Sequence, residues 1–404
     1  MAMNKITRQH VRDDILKMTN KHILLELPTS FGKSRIAINV ITHRNITPDK
    51  KILIVVPRLV LIDTWKDEFK KWGKEEYINN LSFVTYMSFP KKAGEWDMVV
   101  FDECHHLSLR CQEALKGYTI DNSVLLSATV KRDFRYTLGL LFPNLGKYSV
   151  AIKDATEDGV LPDPKVFLIP LMLDNKTPNC TIVRNPSKGN PIVANYAEKW
   201  RYKNVKDRKI IYRCTQRQYY NEMSDLINWY KKRKLNEKFK NLFLHKSGER
   251  LKWLSNQKTS FIHSLLDLVQ NERTLVFCNG ITQTEELGKY CINSKNKDSE
   301  EYLQSFNDGK INHITACNML DEGINLVNCR IGIYATLNSS DRMIKQKLGR
   351  LLRHPHPIII VPYYVATRDE EIVEKMCEDY NDDLISSLDN IGNLIKELNY
   401  EVYD

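Results

Sequence analysis

Leu24-Leu25-Glu26-Leu27-Pro28-Thr29-Ser30-Phe31-Gly32-Lys33-Ser34 runs from an apolar strand, through a tight loop, into a helix expected to begin near Arg35. A strand that turns at once into a helix through Gly-Lys-Ser is a signature of α/β architecture. Successive backbone N–H groups in such a loop can wrap a phosphate, and the positive end of the helix dipole reinforces them. Lys33 is expected to pair with the β and γ phosphates, and the Ser34 hydroxyl to ligate Mg²⁺. Gly32 would let the backbone approach closely. Two positions depart from the general phosphate-loop pattern: Leu27 replaces its first glycine, and Phe31 stands where a small residue is usual.

Downstream, Met98-Val99-Val100-Phe101-Asp102-Glu103-Cys104-His105-His106 is a second apolar run, ending in adjacent carboxylates. At the end of a strand neighbouring side chains point to opposite sides, so two acids can take two roles. Asp102 is expected to hold Mg²⁺ as a hard oxygen ligand, in part through water. Glu103 is expected to orient and polarise an attacking water. Alone, this stretch reads equally well as a solvated loop start. The phosphate loop upstream decides for the acidic site.

Around these two segments the chain keeps a regular rhythm. His22–Leu27, Lys51–Val56, Leu81–Tyr86, Met98–Phe101 and Ser123–Leu126 read as short buried strands, each followed by a turn and a longer polar or amphipathic stretch. This is the βαβ pattern of a parallel sheet covered on both faces. The rhythm restarts with Thr274–Phe277, His313–Ala316, Arg330–Ala335 and Ile358–Val361. Residues 1–153 therefore form a first domain, 154–164 (DATEDGVLPDP) a linker and 165–367 a second domain, whose first strand is Val166–Leu173. An acidic, helical tail is expected over 368–404.

Composition bounds the rest. The 404 residues suit two domains, and 42% hydrophobic with 27% charged residues is ordinary for a globular protein. No apolar run is long enough to cross a bilayer, and the first residues lack the apolar core of a signal peptide, so a cytoplasmic location is expected. The nine cysteines form no CxxC pair, which argues against a zinc ribbon and for buried, reduced thiols. The net charge of +10 is concentrated: residues 196–258 hold 18 Lys/Arg against 6 Asp/Glu, together with eleven aromatics. This stretch reads as a basic helical insertion in the second domain. Its run Lys231-Lys232-Arg233-Lys234 lies beside Trp229 and Tyr230. Clustered cations neutralise phosphates, and aromatics stack on bases or wedge a duplex junction. Taken singly, each aromatic reads better as core.

In these motifs the chain resembles the DExH-type superfamily 2 helicases. By layout it is most similar to the UvsW-like phage helicases and their XPB-like and restriction-subunit-like relatives. Asp102-Glu103-Cys104-His105 matches the DExH box and Pro28–Ser34 matches motif I. Ile52–Arg58 looks like motif Ia, Thr85–Ser88 like motif Ic, and Ser127-Ala128-Thr129 is motif III. Thr274–Asn279 resembles motif IV. Asp321–Leu326 resembles motif V, with Asn325 where aspartate is usual. Gln346–Arg353 resembles motif VI, with Lys347 where arginine is usual. Gln9, 24 residues before Lys33, occupies the place of an adenine-reading glutamine. The ordered set spans roughly residues 6 to 365.

The resemblance implies two RecA-like domains that close on ATP and Mg²⁺ and track along nucleic acid. It implies a nucleotide site made of Gln9, Thr29, Ser30, Gly32, Lys33, Ser34 and Gly323, with Ser34 and Asp102 on the metal. Catalysis falls to Lys33, Glu103 and Gln346, with Arg350 and Arg353 as arginine fingers from the second domain. His105, Ser127 and Thr129 would couple the acidic site to the domain interface. Arg58 and Thr85 would contact the nucleic-acid backbone without reading sequence. A phosphate loop within the first 30 residues leaves no room for a large N-terminal accessory domain. A DNA-directed monomer is the leading expectation. An RNA helicase with the same motor, a duplex translocase that separates no strands, and an inactive binding module are the alternatives. Lys/Asn/Ile-rich usage suggests an AT-rich phage or microbial genome, in which case the compartment is the host cytoplasm.

Overall fold

Continuous runs of β-branched residues have no polar face to offer water, so they assemble into sheets covered on both sides. The computed structural model describes residues 5–184, 191–192, 210–317, 326–337, 351–388 and 391–400. Its first sheet holds β1 (His22–Glu26), β2 (Ile52–Val56), β3 (Leu81–Thr85), β4 (Gly94–Phe101), β5 (Tyr118–Ser127) and β6 (Gly146–Ser149). All pair in parallel, in the order β3-β2-β4-β5-β1-β6.

A small antiparallel sheet follows, built from β7's successors β8 (Cys180–Arg184), β9 (Pro191–Ile192) and β10 (Ile210–Cys214), where β7 is Lys165–Leu171. The second large sheet joins β7 to β11 (Thr274–Phe277), β12 (Cys291–Ile292), β13 (His313–Ala316), β14 (Ile331–Tyr334), β15 (Ile358–Tyr364) and β16 (Ile385–Ser387). It too is wholly parallel, in the order β12-β13-β11-β14-β15-β7-β16.

Helices flank both sheets. The first sheet carries α1 (Arg8–Leu16), α2 (Lys33–His43), α3 (Leu61–Lys71), α4 (Leu109–Ala114) and α5 (Arg132–Leu141). Then come α6 (Ile152–Glu157), α7 (Gln216–Lys231), α8 (Glu237–Gln257), α9 (Thr259–Leu268), α10 (Ile281–Leu287), α11 (Ser299–Asn307), α12 (Arg368–Cys377) and α13 (Ile391–Tyr400). In α2, Ile36, Ala37, Val40 and Ile41 are buried, the i, i+4 stripe that packs a helix on a sheet. Two tandem parallel-sheet domains with flanking helices are the fold read from the sequence.

The structure departs from that reading at edges and joints. The segment expected as a linker begins in helix α6, and the acidic tail contributes the edge strand β16, paired with β7, as well as two helices. Within the basic insertion, α7 and α8 form a hairpin joined by residues 232–236. Tyr219, Tyr220 and Trp253 are buried in its base, whereas Trp229 and Tyr230 pack with Phe239 near its tip at ring separations of 5.1–6.1 Å. Trp200 lies outside the described residues. No helix among the described residues is long and apolar enough to cross a membrane. The cysteines are unpaired thiols, all buried except half-buried Cys377.

Candidate active site

Strand order sets the site. β5 lies between β4 and β1, so three segments emerge side by side at the C-terminal edge of the first sheet. These are the phosphate loop after β1, Ser127 at the end of β5 and Asp102-Glu103 after β4. This edge is where open parallel sheets bind ligands. β2 and β3 continue the row, so Arg58 and Thr85 fall on the far side of Asp102 from the phosphate loop.

The phosphate loop takes its shape from two left-handed residues, Ser30 (φ 70°) and Gly32 (φ 98°), the second capping α2 at Lys33. A side chain at 32 would be strained by the backbone angle even though there is space for it. Leu27 and Phe31, the departures from the general pattern, are both buried in the core. The Leu27 N–H donates to the Ser127 carbonyl at 3.0 Å, which fastens the loop to β5. At the first turn of α2 the leading N–H groups have no intrahelical partner and face outward, as an anion requires. The buried hydroxyl of Thr29 has no hydrogen-bond partner among the described residues.

Across the edge, Lys33 Nζ donates to Glu103 Oε1 at 2.9 Å. Glu103 itself sits at φ 49°, an uncommon conformation for a non-glycine residue, and so turns its carboxylate toward the loop. Its other oxygen lies 3.4 Å from His105 Nδ1, which is also 3.1 Å from Ser127 Oγ. Because the Ser127 hydroxyl donates to the Thr129 carbonyl at 2.9 Å, Nδ1 is the donor in this chain. Glu103, His105, Ser127 and Thr129 are thus joined by direct contacts.

Asp102 is held from the opposite side. Trp65 Nε1 donates to Asp102 Oδ2 at 3.0 Å, and the Tyr86 hydroxyl donates to the Asp102 carbonyl at 2.7 Å. Burial, and then the neighbouring Glu103 charge, push the Asp102 carboxyl up to about 6, while Lys33 and the Trp65 hydrogen bond pull it back. The Glu103 backbone N–H also hydrogen-bonds to this carboxylate and favours its charged form. Trp65 is the member of this arrangement that lies in no sequence motif, whereas Tyr86 falls within the Thr85–Ser88 stretch without a role read for it.

Beside the phosphate loop a cleft of about 490 Å³ is lined by Arg8, Gln9, Arg12, Phe31, Arg35 and Trp72, among others. Gln9 lines this cleft, but its amide is engaged along α1. It donates to Asp13 at 2.9–3.0 Å and accepts from Arg12. Arg35 stacks on Trp72 at 3.9 Å.

From the second sheet's side, Arg353 reaches the phosphate loop: its Nε lies 3.4 Å from Ser30 Oγ. Leu352, Arg353 and Pro355 line a further opening with Arg8 and Ser30. Gln346, Arg350 and Gly323 lie outside the described residues. Arg58 follows β2 in an exposed turn, Thr85 ends β3, and Lys231, Lys232, Arg233 and Lys234 occupy the hairpin tip well away from the loop in sequence.

With this geometry in view, the family described as the type III restriction enzyme res subunit matches residues 2–132. The helicase conserved C-terminal domain matches residues 257–355. The two matches fall on the two sheets, in the order of a helicase motor. Together they support a superfamily 2 helicase of the XPB-like and restriction-subunit-like type. This helicase is 23% identical over 363 positions to the DNA 3'-5' translocase XPB2 of Sulfurisphaera tokodaii, covering 83% of this chain and 76% of that one. Its fold is similar to that of S. cerevisiae Dbp5 bound to RNA and ADP BeF3, with a TM-score of 0.64, 11% identity, and 99% and 94% coverage of the two chains. A fragment of a putative HsdR subunit of a type I restriction enzyme from Vibrio vulnificus is also similar (TM-score 0.56, 14% identity), covering 94% of this helicase and 67% of that chain. As a member of this group the helicase is a nucleic-acid-dependent ATPase.

Proposed function

We propose that this helicase is a DNA-directed motor. It would hydrolyse Mg²⁺-ATP at the edge of the first sheet and use the cycle to translocate on or unwind branched or partly duplex DNA. The observation that carries the reading is the convergence of Lys33, Asp102 and Glu103 on one edge, with Arg353 arriving from the other sheet. Lys33 and the loop N–H groups suit the phosphates, with the Gln9 cleft beside them for the base. Among the described residues no cluster of three or more His, Cys, Asp or Glu is built to hold a metal alone. Asp102 and Ser34 would therefore share Mg²⁺ with phosphate and water oxygens, the usual coordination for this ion. When bound, the ion neutralises phosphate charge.

Glu103 orients the attacking water once phosphate competes for Lys33 and releases its carboxylate. Arg353, with Arg350 and Gln346 from the same motif, adds charge where it develops on the γ-phosphoryl group, an effect worth ~10³–10⁵ in rate in related enzymes. Hydrolysis is then fast only when both domains meet, and nucleic acid spanning both favours that state. Arg58, Thr85 and the cations of the α7–α8 hairpin supply sequence-independent contacts. Relatedness to a named DNA translocase over most of the chain supports DNA. The similarity to an RNA-bound structure is at 11% identity and speaks for the fold.

Strand displacement with matched DNA and RNA substrates tests the reading. ATP-dependent separation or translocation on DNA, with RNA slower, is expected. Activity confined to RNA would reverse the substrate assignment, and no nucleic-acid-dependent ATP turnover at all would remove the motor.

A further inference from the structure

We propose that Trp65 and Tyr86 are positioning residues that transmit strand binding at the Arg58 and Thr85 loops to Asp102, so that nucleic acid sets the geometry of the metal ligand. The inference rests on the reading of those loops as strand contacts. It goes beyond it by assigning the physical link.

Both aromatic side chains are buried, at 2% and 7% exposure, and both place their one polar atom on the same residue. Trp65 takes the carboxylate (3.0 Å) and Tyr86 the carbonyl (2.7 Å), so together they fix the side chain and the backbone of Asp102. A buried indole or phenol needs a partner, but a carbonyl elsewhere in the core would serve. Packing alone gives no reason for both to choose Asp102.

Their positions in the chain supply the other half. Arg58, Leu59 and Val60 form the turn after β2, with Leu59 and Val60 exposed at 69% and 58%. The Leu61 N–H closes that turn onto the Arg58 carbonyl at 3.2 Å, and α3 begins there. Trp65 lies one helical turn further, about 6 Å along a stiff rod, so a shift of the turn carries the indole with it. Tyr86 directly follows Thr85, next to Met87, which is 86% exposed. The Tyr86 N–H bonds to the Val56 carbonyl at 3.2 Å, and the Cys111 thiol donates to the Tyr86 carbonyl at 3.2 Å. The Tyr86 ring contacts His106 at 5.6 Å between centroids. Each loop that faces a strand therefore has a rigid arm ending on Asp102. This route ends on Asp102, whereas the His105–Ser127–Thr129 chain leaves from Glu103, and the two touch where the His106 ring lies 4.4 Å from that of His105.

The test uses the full chain and three changes: Trp65→Phe, Tyr86→Phe, and the benzothiophene analogue of tryptophan at 65, which keeps the shape and replaces the N–H by sulfur. ATP hydrolysis is measured with and without a saturating DNA oligonucleotide across a Mg²⁺ titration. Oligonucleotide affinity without nucleotide and the melting temperature are read alongside. The expected result is a fall in the ratio of stimulated to basal rate, about tenfold for the Trp65 changes, the size of one lost hydrogen bond to a charged group, and smaller for Tyr86→Phe, whose bond is to a neutral carbonyl. A higher Mg²⁺ requirement and unchanged oligonucleotide affinity are also expected. If the analogue retains the parent ratio and Mg²⁺ dependence, or if stimulated and basal rates fall in the same proportion as stability is lost, the residues are merely structural and the proposal fails. If the parent itself shows no stimulation by any nucleic acid, the strand-contact reading fails and takes the proposal with it.

Discussion

Arg353 of the second domain's side and Ser30 of the phosphate loop approach to 3.4 Å, although 323 residues separate them in the chain. In the proposed function this arginine meets the γ-phosphoryl group only while the two sheets face each other. Arg353→Ala is therefore expected to lower DNA-stimulated kcat by about 10³ or more, with a smaller change in ATP affinity. Arg353→Lys keeps the charge but loses the planar fork, and is expected to recover little. Arg350→Ala belongs to the same prediction. Steady-state ATPase assays of the three variants check it, and near-normal rates in all of them would mean that the second domain lends no arginine to the chemistry.

The hairpin tip makes a separate prediction. Arg233 stacks on Trp229 at 3.9 Å and donates to its carbonyl, whereas Lys231, Lys232 and Lys234 have no ion-pair partner among the described residues. Leu235 at the same tip is fully exposed. Neutralising the three lysines should weaken DNA binding for every sequence and flatten the salt dependence by roughly 2 in slope, at about 0.7 per single-strand contact. ATP affinity without DNA should stay the same. Adding Arg233→Gln should change little more. Binding titrations at several salt concentrations decide this: an unchanged slope puts the hairpin off the strand's path.

A third prediction concerns stability. Lys258, at the junction of α8 and α9, forms a wholly buried ion pair of 2.6 Å with Asp369 at the start of α12. Lys258→Met leaves that carboxylate buried without its counter-charge, which typically costs about 3–5 kcal/mol. Lys258→Met with Asp369→Leu removes both charges and should recover most of the loss. Urea unfolding of the single and double variants measures the difference. Equal destabilisation by both would show that the pair is not what Lys258 contributes.

How much of this was legible in the sequence depended on burial and on contact range. Ile52–Val56 and Thr274–Phe277 are continuous apolar runs, and both are central strands. Gly146–Ser149 and Ile385–Ser387 carry mixed, partly exposed residues at sheet edges, where no hydrophobic run is needed, so they left no signal. Lys33 and Glu103 were each legible as site residues because each lies in a local motif, but their ion pair with one another, across 70 positions, was not. Nor was Trp65. Leu61, Trp65 and Phe69 recur every four residues on α3, which reads as a core face, and nothing local reveals that the indole N–H meets Asp102 37 positions away. The aromatics of the insertion were legible only as a group: burial assigns Tyr219, Tyr220 and Trp253 to the core and leaves Trp229 and Tyr230 near the surface.

The central claim is that Lys33, Asp102 and Glu103 form a nucleic-acid-stimulated ATPase site, and Glu103 tests it most directly. In the parent, phosphate release should rise sharply on adding DNA. Glu103→Gln keeps size and can still accept a bond from Lys33, but it removes the carboxylate proposed to polarise water. ATP hydrolysis measured with saturating DNA should fall by at least about 10³, while ATP and DNA still bind. Hydrolysis by Glu103→Gln at a rate close to the parent's would contradict the account.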